Sequence, residues 1–301
     1  MAFNLYFAGT QCKEADLYIE EHGCLRLLSY LNDKNHIKNR VDKGMKTFVD
    51  SGAFSAHTKG KVVDVEDYIN YVNERTEFVT IFAQLDKIPG DFGKPKTTQQ
   101  LMEAPILSWQ NYLYMRDRVA EPDKLLPIFH QGEDFSYLEK MLETTFNGRH
   151  IPYIGLSPAN DMATIRKEAY LKKCFEIIKA SSNPTVKTHA FGMTSLKLLE
   201  KYPLYSADST SWIMTAANGS IMTKWGVMEI SNNQKVHKKH IFHKTQQEQD
   251  IVRAELLKFG IDYDEAMVDY KVRMICNIKF LQNWADNYVY KPIVDKQSKL
   301  F

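Results

Sequence analysis

The stretch Thr47–Phe54 reads TFVDSGAF, in which a short apolar run ends in an aspartate and a glycine-containing turn. The same order, a short apolar run followed by a helical segment, recurs along the chain. The eight runs are Asn4–Ala8, Arg26–Leu31, Thr47–Gly52, Phe78–Asp86, Leu125–Gln131, Pro152–Ser157, Val186–Gly192 and Leu204–Asp208. Runs this short and rich in Val, Ile, Phe and Tyr are typical of strands buried on both faces of a parallel sheet.

The segments between the runs have helical character. The apolar residues of Val65–Val72 recur at helical spacing, and Asp64 is placed to cap the start of that helix. Residues 160–161, Asn and Asp, can cap a helix after the sixth run. Beyond the eighth run we expect a helix that ends at Gly260 and a long helix that starts at Asp264.

Eight strand-like runs that alternate with helices predict an α/β protein with a (β/α)8 TIM barrel. A doubly wound open sheet is the competing fold. No strand is followed by a GxGxxG turn, and no GxxxxGK[ST] loop occurs, which favours the barrel. We therefore predict a single domain over residues 1–301, with 213–301 a helical, basic C-terminal extension packed on the barrel.

The composition is that of an ordinary globular protein, with 44% hydrophobic and 25% charged residues among 301. The 39 basic and 37 acidic residues leave a net charge of +2, so any nucleic-acid binding must come from local patches. No stretch approaches the roughly 20 apolar residues of a membrane span, and the first residues do not form a signal peptide. Four scattered cysteines without CxxC or zinc spacing predict reduced thiols in the cytoplasm.

The candidate chemistry lies where the runs end, because a parallel barrel has its active site at the carboxyl ends of its strands. Asp50, Asp86 and Asp208 each follow an apolar run, and Gln131 follows another. An unpaired buried carboxylate costs several kcal/mol, so such groups are usually paired, metal-bound or catalytic. Each aspartate alone could simply cap the following helix, but that interpretation is poor for all three together.

Two carboxylates that face one reaction centre support substitution at an anomeric carbon. One attacks C1 of the sugar, and the other handles the proton of the leaving or arriving group. A third carboxylate, with an amide and backbone N–H groups, suits the edge of a purine. The carboxylate accepts from N1–H and the exocyclic amine, while the amide and the N–H groups meet O6.

Six fragments between residues 50 and 208 resemble, in order, the motifs of the tRNA-guanine transglycosylase family. They are DSGAF at 50–54, LD at 85–86, HQG at 130–132, IGL at 154–156, HAFG at 189–192 and YSADS at 205–209. The resemblance implies that Asp208 is the nucleophile and Asp50 the general acid/base. It also implies that the following residues bind the substrate base: Ser51, Gly52, Phe54, Asp86, Gln131, Gly132, Gly155, Leu156, Phe191 and Gly192. Within that set, Asp86, Gln131 and Gly155 would read the purine, and Phe54 and Phe191 could stack on it.

The chain departs from the tRNA-directed members in one respect. Those enzymes carry CxCxxC and a histidine that bind structural zinc, whereas no cysteine lies between Cys174 and Cys276 here. The phrases at 189–195 and 205–212 resemble more closely the phage and genomic-island branch, which replaces guanine in DNA with 7-deazaguanine derivatives. That likeness implies DNA and a free 7-deazapurine base as partners, no cofactor, no metal, and the bacterial host cytoplasm as the location.

Two basic segments are candidates for phosphate contacts. The first comprises Lys224, Trp225, Lys235, Lys238 and Lys239, whose aromatic residue suits stacking on an extruded base. The second, in the loop after Asp86, comprises Lys87, Lys94 and Lys96. A solvated loop is the alternative for the first segment. A zinc site made from His237, His240 and His243 is less favoured, and we expect His130 and His189 to be packed and hydrogen-bonded rather than catalytic.

Three other functions remain open at this point. A metal-dependent barrel isomerase or aldolase could use Asp50, Asp86 and Asp208 as oxygen ligands. A tRNA-guanine transglycosylase that dispenses with zinc would share the chemistry and differ in substrate. A non-catalytic family member could act as a binding subunit, although both Asp50 and Asp208 are present. The sequence also leaves open a homodimer or a separate DNA-recognition partner.

Overall fold

The computed structural model is a mixed α/β chain, and it describes residues 3–9, 12–90, 93–159, 163–193, 195–235 and 240–293. The strands are β1 Asn4–Ala8, β2 Arg26–Ser29, β3 Thr47–Asp50, β4 Val79–Ala83, β5 Leu125–Leu126, β6 Ile128–His130, β7 Thr145–Phe146, β8 Arg149–His150, β9 Tyr153–Ser157, β10 Lys187–Ala190, β11 Ser206–Ser209, β12 Ser220–Thr223 and β13 Gly226–Glu229. The helices are α1 Lys13–Glu21, α2 Lys34–Asp42, α3 Ala53–Thr58, α4 Val65–Asn73, α5 Thr98–Arg116, α6 Ser136–Glu143, α7 Thr164–Ala180, α8 Leu196–Lys201, α9 Ser211–Ala217, α10 Gln246–Lys258, α11 Tyr263–Val268 and α12 Tyr270–Asn287. Short 3-10 helices lie at Pro122–Lys124, Asn232–Gln234 and Ile241–His243.

The chain divides into two compact units. We call residues 26–208 with 290–301 the central unit, and residues 1–25 with 209–289 the terminal unit. Each of the eight predicted runs contains a strand, so the predicted alternation of strands and helices is confirmed. The further prediction of one domain with a C-terminal extension over 213–301 stays a prediction.

The central unit is built on parallel strands. β2 pairs with β3, β3 with β4 and β4 with β5, while β6 pairs with β9, β9 with β10 and β10 with β11. Pro127 has no N–H to donate and separates β5 from β6. Phe48, Phe82 and Leu156 are completely buried in these strands. A parallel sheet with helices between its strands gives a TIM-barrel-like fold.

Helix α4 forms as its sequence pattern predicts. The Asp64 carboxylate accepts a hydrogen bond from the Asp67 N–H at 3.0 Å, and Tyr68, Ile69 and Val72 are buried. An N-cap of this kind satisfies one of the otherwise unpaired N–H groups of the first turn. Residues 160–161, expected to cap the helix after the sixth run, lie outside the described residues, and α7 begins at Thr164.

The expected long helix from Asp264 is wrong, because two helices occupy that segment. Asp262 caps α11 by accepting from the Glu265 N–H, and α11 ends at Val268. Asp269 is extended and accepts from the Lys271 N–H at 2.8 Å, which begins α12. A local carboxylate–backbone bond competes with continued helix at this point. Gly260 follows α10 with φ +63°, as predicted for a residue just beyond a helix end.

Buried polar side chains organise the core of the terminal unit around α12. Asn277 accepts from the Met222 N–H at 2.7 Å and donates to the Trp212 carbonyl. Arg273 donates to the carbonyls of Ala216 and Ala266. These bonds tie α12 to α9, α11 and β12, so α12 is part of a packed core. Within the described residues, no helix has both the length and the apolar character needed to cross a bilayer.

Candidate functional site

Three aspartates of the central unit interact at the ends of its strands. Asp50 ends β3, Asp86 follows β4 by three residues and Asp208 lies in β11. Burial, together with the charges of Asp208 and Asp86, raises the pKa of Asp50 from 3.8 to about 7, although the hydrogen bond from the Gly52 N–H lowers it. Asp50 therefore lies close enough to Asp208 and Asp86 for their charges to act on it. A carboxyl group with a pKa near neutrality is suited to exchanging protons.

The turn after β3 depends on Gly52. Its φ of +77° lies in the left-handed region, and its N–H donates to Asp50 Oδ2 at 2.9 Å. A Cβ at this position would lie 2.6 Å from Leu31 Cβ and 2.8 Å from Ser29 Oγ. Both the backbone conformation and the space therefore require glycine. The turn at Gly52 therefore places a backbone N–H in hydrogen-bonding contact with Asp50, the candidate general acid/base.

We expect Gly52→Ala to lower the free energy of unfolding by about 3 kcal/mol, from left-handed strain and overpacking combined. Gly60→Ala is the matched control. Gly60 lies in the same unit with φ +61° and nothing within 4 Å of its Cβ position, so it should lose only about 1 kcal/mol. Urea denaturation of both variants measures the difference. Equal losses would mean that the contacts with Leu31 and Ser29 are relieved at no cost.

The carboxylate of Asp208 has two unlike oxygens. Oδ1 accepts from the Gly192 N–H at 3.1 Å and lies 3.1 Å from His189 Nε2. Among the described residues, no hydrogen bond reaches Oδ2. Asp208 is 7% exposed, whereas His189 is fully buried. A carboxylate held at one oxygen and open at the other is oriented for attack.

Asp86 belongs to a cluster with His130, Glu133 and Gln84. His130 Nε2 lies 3.2 Å from Asp86 Oδ2, and its Nδ1 lies 3.3 Å from Glu133 Oε1. Burial lowers the pKa of His130, but the charges and hydrogen bonds of Asp86 and Glu133 outweigh it and raise the pKa from 6.5 to about 10. Gln84 Nε2 donates to Asp86 Oδ1. Asp86 is therefore held by a cationic imidazole on one oxygen and an amide on the other.

We expect His130→Gln to lower the free energy of unfolding by about 3 kcal/mol at pH 6, because it leaves two carboxylates without their cation. The folded-state pKa is raised, so the stability that His130 contributes is fully present below pH 6.5 and is lost as the pH rises through about 10. The difference between wild type and variant should shrink over that range in urea denaturation. His36→Gln, on α2, is the control. A constant difference for His130→Gln would contradict the ion-paired cluster.

The residues expected to hold a purine are engaged with the protein itself. Gln131 Oε1 accepts from the Ala159 N–H at 3.0 Å, and its Nε2 donates to the Arg166 carbonyl at 3.3 Å. These bonds join the loop after β6 to the segments around α7. Gly132 is exposed, with φ +107°. The amide of Gln131 would have to give up one of these partners before it could hydrogen-bond to a base.

Gly155 has a packing role that the sequence did not reveal. Its N–H, which we expected to face a purine, donates to the Pro127 carbonyl at 2.7 Å within the sheet. A Cβ on Gly155 would lie 2.6 Å from Phe191 Cε2, so glycine makes room for that ring. Leu156 is fully buried, and its carbonyl accepts from the Phe191 N–H. Gly155 and Leu156 therefore position Phe191, and their contact with a base stays a prediction.

The two candidate stacking residues differ in exposure. Phe54, in the first turn of α3, is 66% exposed, while the Phe191 ring is partly buried. The Phe191 ring lies edge-on to the His189 ring, with centroids 4.5 Å apart. Ser51, also expected to bind substrate, is buried, and its Oγ accepts from the Ala53 N–H at 3.5 Å. Phe54 is thus the ring with a free face for a ligand.

The candidate phosphate-binding lysines fall on both units. Lys87, Lys94 and Lys96 are exposed in the central unit, in the loop that follows Asp86. Lys224, Trp225 and Lys235 are exposed in the terminal unit. Lys224 Nζ lies 3.2 Å from Glu255 Oε2 and 4.7 Å from the centre of the Trp225 ring.

The remaining members of the histidine- and lysine-rich segment, His237, Lys238 and Lys239, lie outside the described residues. His240 is buried, with Nε2 2.9 Å from the Ser231 carbonyl and Nδ1 accepting from the Phe242 N–H. His243 Nε2 lies 2.7 Å from the Lys235 carbonyl. Across the described ranges, no group of three or more His, Cys, Asp or Glu side chains is arranged to hold a metal ion.

Sequence reasoning missed several groups around the aspartates. Asp33, buried four residues beyond β2, accepts from the Ser29 N–H, and its charge also raises the pKa of Asp50. Glu133 lies three residues after His130, and that spacing was a usable signal. Ser206 lies in the YSADS fragment and Tyr153 in none, and neither position signalled a link to Asp208, because that link depends on strand register.

A scan against protein-family models finds no match to the chain. A search of curated proteins finds none with significant similarity.

Proposed function

We propose that this chain is a base-exchange transglycosylase that replaces guanine in DNA with a 7-deazaguanine, such as 7-cyano-7-deazaguanine. The observation that carries the proposal is a pair of unlike carboxyl groups at one site. Asp208 Oδ1 accepts from the Gly192 N–H and contacts His189 Nε2, and Oδ2 has no hydrogen bond within the described part of the chain, while the pKa of Asp50 is raised to about 7. The ordered resemblance of residues 50–208 to the tRNA-guanine transglycosylases supports the same chemistry.

The proposed fold is a (β/α)8 barrel without the zinc subdomain of the tRNA-directed relatives. The parallel pairing of β2 through β5, and of β6 with β9, β9 with β10 and β10 with β11, supports it. Active sites of such barrels lie at the carboxyl ends of the strands. Asp50, Asp86 and Asp208 follow that rule along β3, β4 and β11.

The first half of the reaction releases guanine. Asp208 Oδ2 attacks C1′ of the target nucleotide, and the C1′–N9 bond breaks with its electron pair going to the base. Protonated Asp50 supplies the proton that the departing guanine needs. The product is a glycosyl ester on Asp208 and an ionised Asp50.

The second half inserts the new base. Ionised Asp50 removes the N9 proton of the incoming 7-deazaguanine, whose N9 then attacks C1′. The bond between C1′ and Asp208 breaks, the carboxylate reforms, and Asp50 again carries its proton. Proton loss and gain balance over the cycle, so the exchange needs no external energy source. A pKa of about 7 lets Asp50 serve in both directions near neutral pH.

Recognition of the purine is assigned to Asp86. His130 and Gln84 hold its carboxylate in place, one at each oxygen, so that it can accept from N1–H and the exocyclic amine of the base. Phe54 offers an exposed ring for stacking. Gln131 joins this set only if the base displaces the Ala159 N–H or the Arg166 carbonyl from its amide.

The nucleic-acid partner is assigned to the exposed lysines. Lys87, Lys94 and Lys96 extend from the same loop as Asp86, which suits phosphates that flank a base held by that residue. Trp225 with Lys224 and Lys235 offers a second surface of the kind that binds unpaired strands. The target guanine must leave its stack, at a cost of a few kcal/mol, to reach these carboxyl groups.

The test is mass spectrometry of nucleosides after incubation with 7-cyano-7-deazaguanine. Duplex DNA, single-stranded DNA and tRNA are each treated with the full chain, with and without excess EDTA, and the purified protein is analysed for metal. We expect incorporation into DNA that EDTA does not reduce. Incorporation into tRNA alone would retain the chemistry and overturn the substrate. Absence of incorporation from all three, or activity that requires a metal, would contradict the proposal.

A further inference from the structure

A buried chain of side chains leads away from Asp208 into the sheet. His189 on β10 lies opposite Ser206 on β11 in the parallel register. His189 Nδ1 lies 2.5 Å from Ser206 Oγ, and Ser206 Oγ is hydrogen-bonded to the hydroxyl of Tyr153 on β9. His189 and Ser206 are fully buried and Tyr153 is 6% exposed. Three neighbouring strands therefore contribute one polar side chain each to a continuous path.

The hydrogen-bond directions follow from Asp208. A carboxylate oxygen can only accept, so His189 Nε2 must carry the proton that it shares with Asp208 Oδ1. In the neutral ring Nδ1 is then an acceptor, which the Ser206 hydroxyl can satisfy by donating. The Ser206 oxygen in turn accepts from the Tyr153 hydroxyl. Every proton in this arrangement has a place: Asp208 sets the tautomer of His189, and Ser206 donates to the nitrogen that is left unprotonated.

The surroundings strengthen these bonds. The Phe48 and Phe191 rings pack against the imidazole, with centroids 4.8 Å and 4.5 Å from its own. Aromatic rings on the histidine keep water from competing for its nitrogens. Hydrogen bonds in such a low-dielectric setting are stronger and more directional than in water.

We infer that Tyr153, Ser206 and His189 form a positioning relay that aims Asp208 at its substrate, an inference that rests on the proposed function. The relay fixes one carboxylate oxygen and leaves Oδ2 facing the reaction. When Oδ2 bonds to C1′, Oδ1 becomes the ester carbonyl and keeps its bond to the His189 N–H. When that ester breaks, the negative charge returns to an oxygen whose donors are already in place. No proton needs to travel along the relay.

The kinetic test uses graded variants. His189→Leu should lower kcat for base exchange about 100-fold or more, the usual effect of losing one preorganised donor. His189→Gln, whose amide can still donate to Asp208, should recover at least about 10-fold of that loss. Ser206→Ala should cost about 10-fold and Tyr153→Phe less, with KM within about 3-fold throughout. Tyr170→Phe removes another buried hydroxyl, bonded to the Phe129 carbonyl, and should leave kcat unchanged.

A second measurement does not depend on activity. Nitrogen-15 NMR of wild type, with the His189 signal assigned by its loss in His189→Gln, should show the neutral ring protonated at Nε2. Ser206→Ala should keep the proton on Nε2 and shift the Nδ1 signal, because Nδ1 loses its hydrogen-bond donor. A wild-type ring protonated at Nδ1, or a His189→Leu variant with wild-type kcat, would overturn the relay. If wild type exchanges no base on any nucleic acid, the proposed function fails, and the NMR result alone decides whether the relay orients Asp208.

Discussion

Asp208→Asn is expected to reduce base exchange by at least about 10⁴-fold, because an amide cannot form the ester through which the sugar is carried. The substitution keeps the shape of the side chain, and the amide oxygen can still accept from the Gly192 N–H and His189. The loss should therefore be chemical rather than structural. Nucleoside mass spectrometry measures it.

A trapping experiment tests whether Asp208 forms a covalent bond to the sugar or contributes to exchange in another way. Wild type incubated with guanine-containing DNA and no incoming base should hold part of the DNA as a complex that survives denaturing electrophoresis. Asp208→Asn should give no such complex. Asp64→Asn removes an exposed carboxylate of the same unit while keeping a residue that caps helices well, and it should behave as wild type. Exchange by Asp208→Asn above about 1% of wild type would mean that another group attacks C1′.

The strands and the three aspartates were predictable from the sequence, because both follow from local pattern. A short apolar run defines a buried strand without reference to its neighbours, and a carboxylate directly after such a run must lie at a strand end. Asp50, Asp86 and Asp208 satisfied this rule, and the charges of Asp86 and Asp208 act on Asp50 in the structure. The capping of α4 by Asp64 was predictable for the same reason, since its partner lies three residues away.

The partners of the site residues were not predictable, because they come from other strands and loops. Gln131 is bonded to Ala159 and Arg166, and the missing side chain of Gly155 accommodates Phe191. No spacing along the chain encodes either contact. The break at Asp269 was missed for a different reason. The helical spacing of apolar residues continues across Asp269 and gives no sign of a break. The start of α12 is set instead by the hydrogen bond from the Lys271 N–H to the Asp269 carboxylate.

The opposite environments of His130 and Asp50 could be obtained only from the structure. His130 lies between two carboxylates that stabilise its charge, whereas burial and, to a lesser extent, nearby carboxylates favour the neutral form of Asp50. The sequence places both residues after strands and cannot distinguish them. In the proposed reaction, a carboxyl group in the environment of Asp50 is suited to transferring a proton near neutral pH.

Asp50→Asn is expected to stabilise the protein while it removes activity. The pKa of Asp50 is raised from 3.8 to about 7, so the folded state holds the proton more tightly than the unfolded state. Stability is then fully present below pH 3.8 and falls as the pH rises through about 7, by up to about 4 kcal/mol. An amide carries no charge and escapes this loss, and its oxygen can still accept from the Gly52 N–H.

The expected signature is a gap between variant and wild type that grows between pH 5 and pH 8 in urea denaturation. Base exchange should fall about 10²- to 10⁴-fold, the range for losing a general acid/base. Asp64→Asn should show neither effect, because its carboxylate is exposed. A variant that is less stable than wild type at pH 8 would show that the charge of Asp50 is compensated in the folded state. In that case Asp50 would be ionised throughout, and it could accept the proton of the incoming base but could not protonate the departing guanine.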